Sequence, residues 1–154
     1  ILASAGAALT GWRILHQTGP ADVEMVQAAY RRANIAAEVV PFIDNLPALL
    51  PTVGLAICRA GGTTLAELAA AGVPALLCPY PHAADDHQRR NAEAFAAAGA
   101  AEVLQLTAGS SVAELLTNDL RRSEMSAFMK SMARPDAAQQ VARLVYPACI
   151  DART

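Results

Sequence analysis

Along this chain, short apolar runs alternate with longer stretches in which apolar residues recur at helical spacing. Trp12 to His16 reads as a strand, closed by Thr18-Gly19-Pro20. Asp22 opens a helix to about Ala33, with Val23, Val26, Ala29 and Ala33 on one face. Further strands are predicted over Glu38 to Phe42, Leu55 to Cys58, Ala75 to Cys78 and Glu102 to Leu106. Between them lie a short helix from Leu46 to Leu50 and a helix from Thr63 to Ala71, stopped by Gly72 and Pro74. A third helix runs from Asp85 to Ala98, with Gly99 just after it. The pattern ends in a helical tail, about 111–146, broken near Pro135. Ile1 to Leu9 reads as the end of a helix that begins upstream, so the pattern points to an N-terminally truncated domain over residues 1–154.

Strands this short and apolar are covered on both faces. Their alternation with helices predicts an α/β fold: a Rossmann-like, doubly wound parallel sheet. Right-handed crossovers then bring every strand's C-terminal end, and the loop after it, to one edge, where ligands bind. The 154 residues suit one domain, and an apolar fraction of 54% can fill its core. A net charge of -2 argues against a nucleic-acid partner, which requires a basic face. No apolar run reaches the roughly 20 residues of a membrane span, and no signal peptide is apparent. Cys58, Cys78 and Cys149 are far apart and form no CxxC pair, so they are expected to be small structural residues.

Three loops carry candidate chemistry. Cys58-Arg59-Ala60-Gly61-Gly62-Thr63-Thr64-Leu65-Ala66-Glu67 joins a strand to a helix. The glycines allow a ligand to approach the backbone, and Thr63 or Thr64 can cap the helix. The helix start offers free N–H groups to an anion, and Arg59 adds a charge. Glu67 is placed to accept bonds from ribose hydroxyls. The plainer reading is a capped helix whose Glu67 supports its own first turn. The loop is not a Walker A motif, since no Gly-Lys-Ser/Thr follows. Pro79-Tyr80-Pro81-His82-Ala83-Ala84-Asp85-Asp86-His87-Gln88-Arg89-Arg90-Asn91 opens on the same edge. His87, Gln88 and Asn91 there suit sugar hydroxyls, or else form a polar first turn whose Asp85 and Asp86 complement the dipole. His82 and His87 are five residues apart, a poor spacing for one helical face, which disfavours a metal. The third loop is Phe42-Ile43-Asp44-Asn45-Leu46-Pro47, where Asp44 or Asn45 can cap the short helix; His16 and Gln17 end the first strand beside it.

Taken together these motifs resemble the C-terminal domain of the MurG family, glycosyltransferase family 28, from about Trp12 to Leu106. The marks are His16-Gln17-Thr18-Gly19, Phe42-Ile43-Asp44-Asn45-Leu46, Cys58-Arg59-Ala60-Gly61, Glu67-Leu68-Ala69-Ala70-Ala71-Gly72-Val73-Pro74-Ala75, Pro79-Tyr80-Pro81 and His87-Gln88 with Asn91-Ala92. Their order and spacing together are specific.

The resemblance implies one half of a two-domain GT-B enzyme, an inverting hexosyltransferase of peptidoglycan synthesis. Such an enzyme moves N-acetylglucosamine from UDP-N-acetylglucosamine to a lipid-linked muramyl pentapeptide at the inner, cytoplasmic face of the bacterial membrane. It implies that the Ile43 backbone reads the uracil edge and that Glu67 holds the ribose. Gly61, Gly62, Thr63 and Thr64 would face the diphosphate, with Arg59 beside it. Position 63 is often apolar in the family, so the expectation there rests on the backbone N–H. His87 and Gln88, with Asn91 near, would meet the sugar; the family often has Gln-Gln or His-Gln at the first two. No metal and no cofactor are implied. The family's Gly-Gly-Ser-Gln loop and its N-terminal domain have no counterpart here. That domain would carry the acceptor site, the membrane-associating patch and the general base, so these 154 residues alone are expected not to transfer sugar. Rival readings are a GT-B transferase with another sugar or acceptor, and a non-catalytic UDP-sugar-binding subunit.

Overall fold

The computed structural model describes residues 2–80, 86–104 and 110–151. A short helix α1 (Leu2–Ala5) and a 3-10 turn (Gly6–Leu9) precede β1 (Leu15–Gln17). Then follow α2 (Val23–Arg32), β2 (Glu38–Val40), α3 (Leu46–Leu49), β3 (Ala56–Cys58) and α4 (Gly62–Ala71). The chain continues through β4 (Ala75–Leu77), α5 (His87–Ala97), β5 (Ala101–Val103), α6 (Ser110–Thr117), α7 (Asp119–Ser131) and α8 (Ala137–Asp151).

Among the described residues every strand pairing is parallel, as the alternation predicts, but the five strands form two sheets, β1-β2 and β3-β4-β5. In a doubly wound sheet a central strand stands between the two halves. Among the described residues no strand lies between β1 and β3. Each strand is three residues long, shorter than its apolar run. Trp12 is the clearest case. It lies ahead of β1, under the Arg122 guanidinium at 4.8 Å, and packs with the Leu76 cluster. An apolar residue placed for packing thus mimics the start of a strand.

Helices cover both faces of β4. Ala75 and Leu77 face a core with Leu65, Leu68 and Ala69 of α4 and Ala92 of α5. Leu76 faces the opposite core, with Val112, Leu115 and Leu116 of α6. The alternation of the strand sends successive side chains to opposite faces, and all three are fully buried. Helix α7 serves both cores, Met129 in the first and Met125 in the second. The predicted tail breaks at Asn118 as well as near Pro135, because the Asn118 side chain accepts the Arg121 N–H at 2.9 Å and starts a new helix. Arg122 locks the joint by donating to the carbonyls of Leu115 and Leu116 and pairing with Asp119.

The predicted glycine stops hold. Gly72 ends α4 at φ 71, and Gly99 follows α5 at φ 75. Ser126 on α7 donates to the Gly72 carbonyl at 2.7 Å. A Cβ at Gly72 would lie 2.6 Å from Lys130 Cγ. Gly72→Ala therefore pays for a left-handed residue and must push Lys130 aside. A loss of about 1–2 kcal/mol is expected, read as a lower urea midpoint. An unchanged midpoint would show that the turn re-forms without the left-handed residue.

Candidate functional site

The candidate residues fall into two groups, one at the C-terminal edge of each sheet. At the first edge, β1 ends in Gln17 and β2 leads into Phe42-Ile43. The two loops are stitched together by Thr18 N–H to Val40 O at 3.1 Å and Gly19 N–H to Pro41 O at 3.0 Å. His16 Nδ1 lies 2.9 Å from the Tyr30 hydroxyl of α2, which supports a structural role for this histidine. Gln17 Oε1 accepts the Ile43 N–H at 2.9 Å. That donor is already engaged, so a ligand using the Ile43 backbone must displace Gln17 or take the carbonyl. Asn45, not Asp44, caps α3, accepting from Ala48 N–H at 3.4 Å.

The predicted strand runs to Phe42, yet β2 ends at Val40 and Phe42 stands 66% exposed beside Ile43. A large aromatic ring left in water at this edge offers a stacking surface. The signal that could have found it is Pro41, which cannot donate to a ladder and so ends the strand early.

At the second edge, β3 runs into Arg59-Ala60-Gly61 and α4 begins at Gly62, one residue earlier than predicted. The N-cap is Gly61, and no side chain caps the helix. Thr63 and Thr64 are therefore in the first turn and are not caps. The first intrahelical bond near this end is Leu65 N–H to Gly61 O at 3.0 Å. The N–H groups of Gly62, Thr63 and Thr64 precede it and give this end its positive character. Glu67 is half-buried one turn further along. Among the described residues it makes no hydrogen bond or ion pair, so no bond of its own ties it to the helix start.

Helix α5 supplies the opposite wall. It begins at His87, two residues after the predicted start; Pro81, His82 and Asp85 lie outside the described residues. His87 is exposed, while Gln88 and Asn91 are half-buried one turn apart. Asn91 does not face outward as a free ligand group. Its Nδ2 donates 3.1 Å to the carbonyl of Ala60, a fully buried residue, and so braces the glycine loop. Gln88 Oε1 accepts the Tyr80 N–H at 3.0 Å. One lone pair of the amide oxygen is thus engaged within the protein, and the two Nε2 donors are the groups this bond leaves for a ligand. Asp86 and Arg89 pair on the exposed side, as Arg89 does with Glu93 at 2.9 Å. Among the described residues no three His, Cys, Asp or Glu gather closely enough to hold a metal ion.

Arg59 projects from the loop with its guanidinium 4.6 Å from the Tyr80 ring centroid. Beneath it, Cys58 and Cys78 are free thiols on opposite faces of the sheet, each packed against a different core. Burial, then the neighbouring Cys78, pushes the Cys58 thiol up to about 11, so it stays protonated and unreactive near neutrality. This agrees with the structural role expected of both; the Cys149 side chain lies outside the described residues.

The sequence and the fold both have known counterparts. The family described as "Glycosyltransferase family 28 C-terminal domain" matches residues 4–143. The UDP-N-acetylglucosamine--N-acetylmuramyl-(pentapeptide) pyrophosphoryl-undecaprenol N-acetylglucosamine transferase of Syntrophotalea carbinolica is 46% identical over 144 residues, 89% of this chain and 40% of that protein. The transferase of the same name from Xylella fastidiosa is 43% identical over 139 residues, 86% of this chain and 38% of that protein. The chain thus spans about two fifths of the length of these relatives. MurG of Acinetobacter baumannii superposes with a TM-score of 0.80 at 35% identity, covering 95% of this chain and 48% of that one. The glycosyltransferase VinC superposes with a TM-score of 0.64 at 21% identity, which speaks for the fold alone. This chain, with its parallel α/β architecture and its match across residues 4–143, belongs to the glycosyltransferase family 28 C-terminal domain family.

Proposed function

We propose that this chain binds UDP-N-acetylglucosamine and forms the donor half of a transferase that passes N-acetylglucosamine to lipid-linked muramyl pentapeptide. The observation that carries the reading is the start of α4. An uncapped helix end, bared by Gly61-Gly62, stands beside Arg59, and Glu67 lies one turn along with no partner of its own among the described residues. An unpartnered carboxylate accepts hydroxyl bonds from a ribose. The free amides and Arg59 suit a diphosphate. Exposed Phe42 offers a face for the uracil, whose edge meets the Ile43 backbone once Gln17 yields. Gln88 Nε2 and His87 face the sugar.

In the transfer step an acceptor hydroxyl attacks the anomeric carbon and UDP leaves. Negative charge grows on the leaving diphosphate. Fixed amides and the helix dipole stabilise that charge without reorganising, and loss of one such donor typically costs roughly 10²–10³ in rate. The acceptor site, the general base and the contact with the inner membrane face are assigned to the part of the relatives that this chain does not cover. No described helix is long and apolar enough to cross a membrane. The 154 residues alone are thus expected to bind donor without transferring sugar.

The test is calorimetry on the chain with UDP, UDP-N-acetylglucosamine and UDP-glucose. Binding of UDP, with UDP-N-acetylglucosamine preferred over UDP-glucose, is expected. No heat with any of the three overturns the reading, and equal affinity for the two sugars overturns the assignment of the sugar.

A further inference from the structure

We propose that Tyr80 is a positioning residue. Its ring holds the guanidinium of Arg59, which lies in the loop leading into α4, and its own backbone is held by Gln88. This rests on the donor-binding reading and adds to it a link between the sugar end and the diphosphate end of the site.

The geometry is a chain of three contacts. Gln88, in the first turn of α5, accepts the Tyr80 N–H at 3.0 Å. Tyr80 follows β4 and presents its ring to Arg59, which follows β3; the guanidinium carbon is 4.6 Å from the ring centroid, within cation–π range. Adjacent strands place the two residues together, because Cys78 N–H bonds Cys58 O at 2.8 Å just below them. Arg59 is exposed and has no ion pair among the described residues. A free arginine side chain on a loop samples many rotamers, and ordering it on a ligand carries an entropy cost. An aromatic face that already orders it lowers that cost. Tyr80 is 40% exposed, so the stack lies at the rim, where a cation–π pair has a modest but measurable effect.

The experiment compares UDP and uridine binding to the chain carrying Tyr80→Phe, Tyr80→Leu, Arg59→Ala, and Tyr80→Leu with Arg59→Ala. Tyr80→Phe keeps the ring and should retain UDP affinity. Tyr80→Leu should weaken UDP by about two- to five-fold and leave uridine unchanged, since uridine has no phosphate. In the Arg59→Ala background the leucine should do nothing further. A second readout needs no ligand: the Arg59 side-chain protons should carry an upfield ring-current shift that Tyr80→Leu abolishes. Equal weakening of UDP and uridine, or full additivity with Arg59→Ala, overturns the proposal, because Tyr80 then acts directly or through the fold. Absence of the ring-current shift from the unaltered chain overturns it as well. Failure of the unaltered chain to bind UDP at all overturns the donor-binding reading, and this proposal with it.

Discussion

Glu67→Ala should lower UDP affinity by about ten-fold or more while leaving the melting temperature unchanged. A carboxylate that accepts hydroxyl bonds contributes about 1.5–3 kcal/mol, as hydrogen bonds to charged groups do. The second half of the expectation comes from the structure. Glu67 is half-buried, and among the described residues nothing in the protein bonds to it. Removing it therefore breaks no hydrogen bond or ion pair among the described residues, and alanine suits a helix interior at least as well as glutamate. Calorimetry with UDP and a thermal melt of the same variant check the two halves. If the melting temperature falls and the affinity of the folded protein does not, Glu67 is a structural residue and the ribose assignment fails.

Asn91→Ala, by contrast, should destabilise the fold, and lower UDP affinity as a consequence. Its amide is the donor to the carbonyl of fully buried Ala60 at 3.1 Å, across the turn from β3 into α4. Deleting it strands a carbonyl away from water, at about 1–3 kcal/mol. Alanine's better helix propensity returns about half a kcal/mol of that. A net loss of about 1–2 kcal/mol is expected, or roughly 2–8 °C for a chain of this size. UDP affinity should fall too, because Arg59 and the Gly61-Gly62 turn lose their brace. A variant that melts normally but binds UDP-N-acetylglucosamine poorly, with UDP unaffected, would make Asn91 a sugar contact and not a brace.

These two residues show how much of the site is legible in the chain. Both sit in motifs that the sequence singles out as candidates. Which of them is free to meet a ligand depends on what folds against it. Among the described residues Glu67 has no hydrogen-bond or ion-pair partner. Asn91 faces a loop 31 residues away in sequence. The same holds for Gln88, whose acceptor is used by Tyr80, and for Ile43, whose N–H is used by Gln17. Phe42 was hidden for a related reason: its apolar character fits a strand, and only the early end of β2 leaves it exposed.

Local pattern sets the order of elements, their parallel α/β class, the glycine stops at Gly72 and Gly99, and the strand-end loops in which the candidate residues lie. These follow from local physics. Hydrophobic period separates strand from helix, and left-handed positions select glycine. The break at Asn118 and the start of α4 at Gly62 are local capping signals that the apolar period does not resolve. Tertiary structure set the division of the strands into two sheets. It also decided which polar atoms are engaged and the stacking of Arg59 on Tyr80. Pairing, burial and hydrogen bonding between distant segments depend on separations in space that no local pattern encodes.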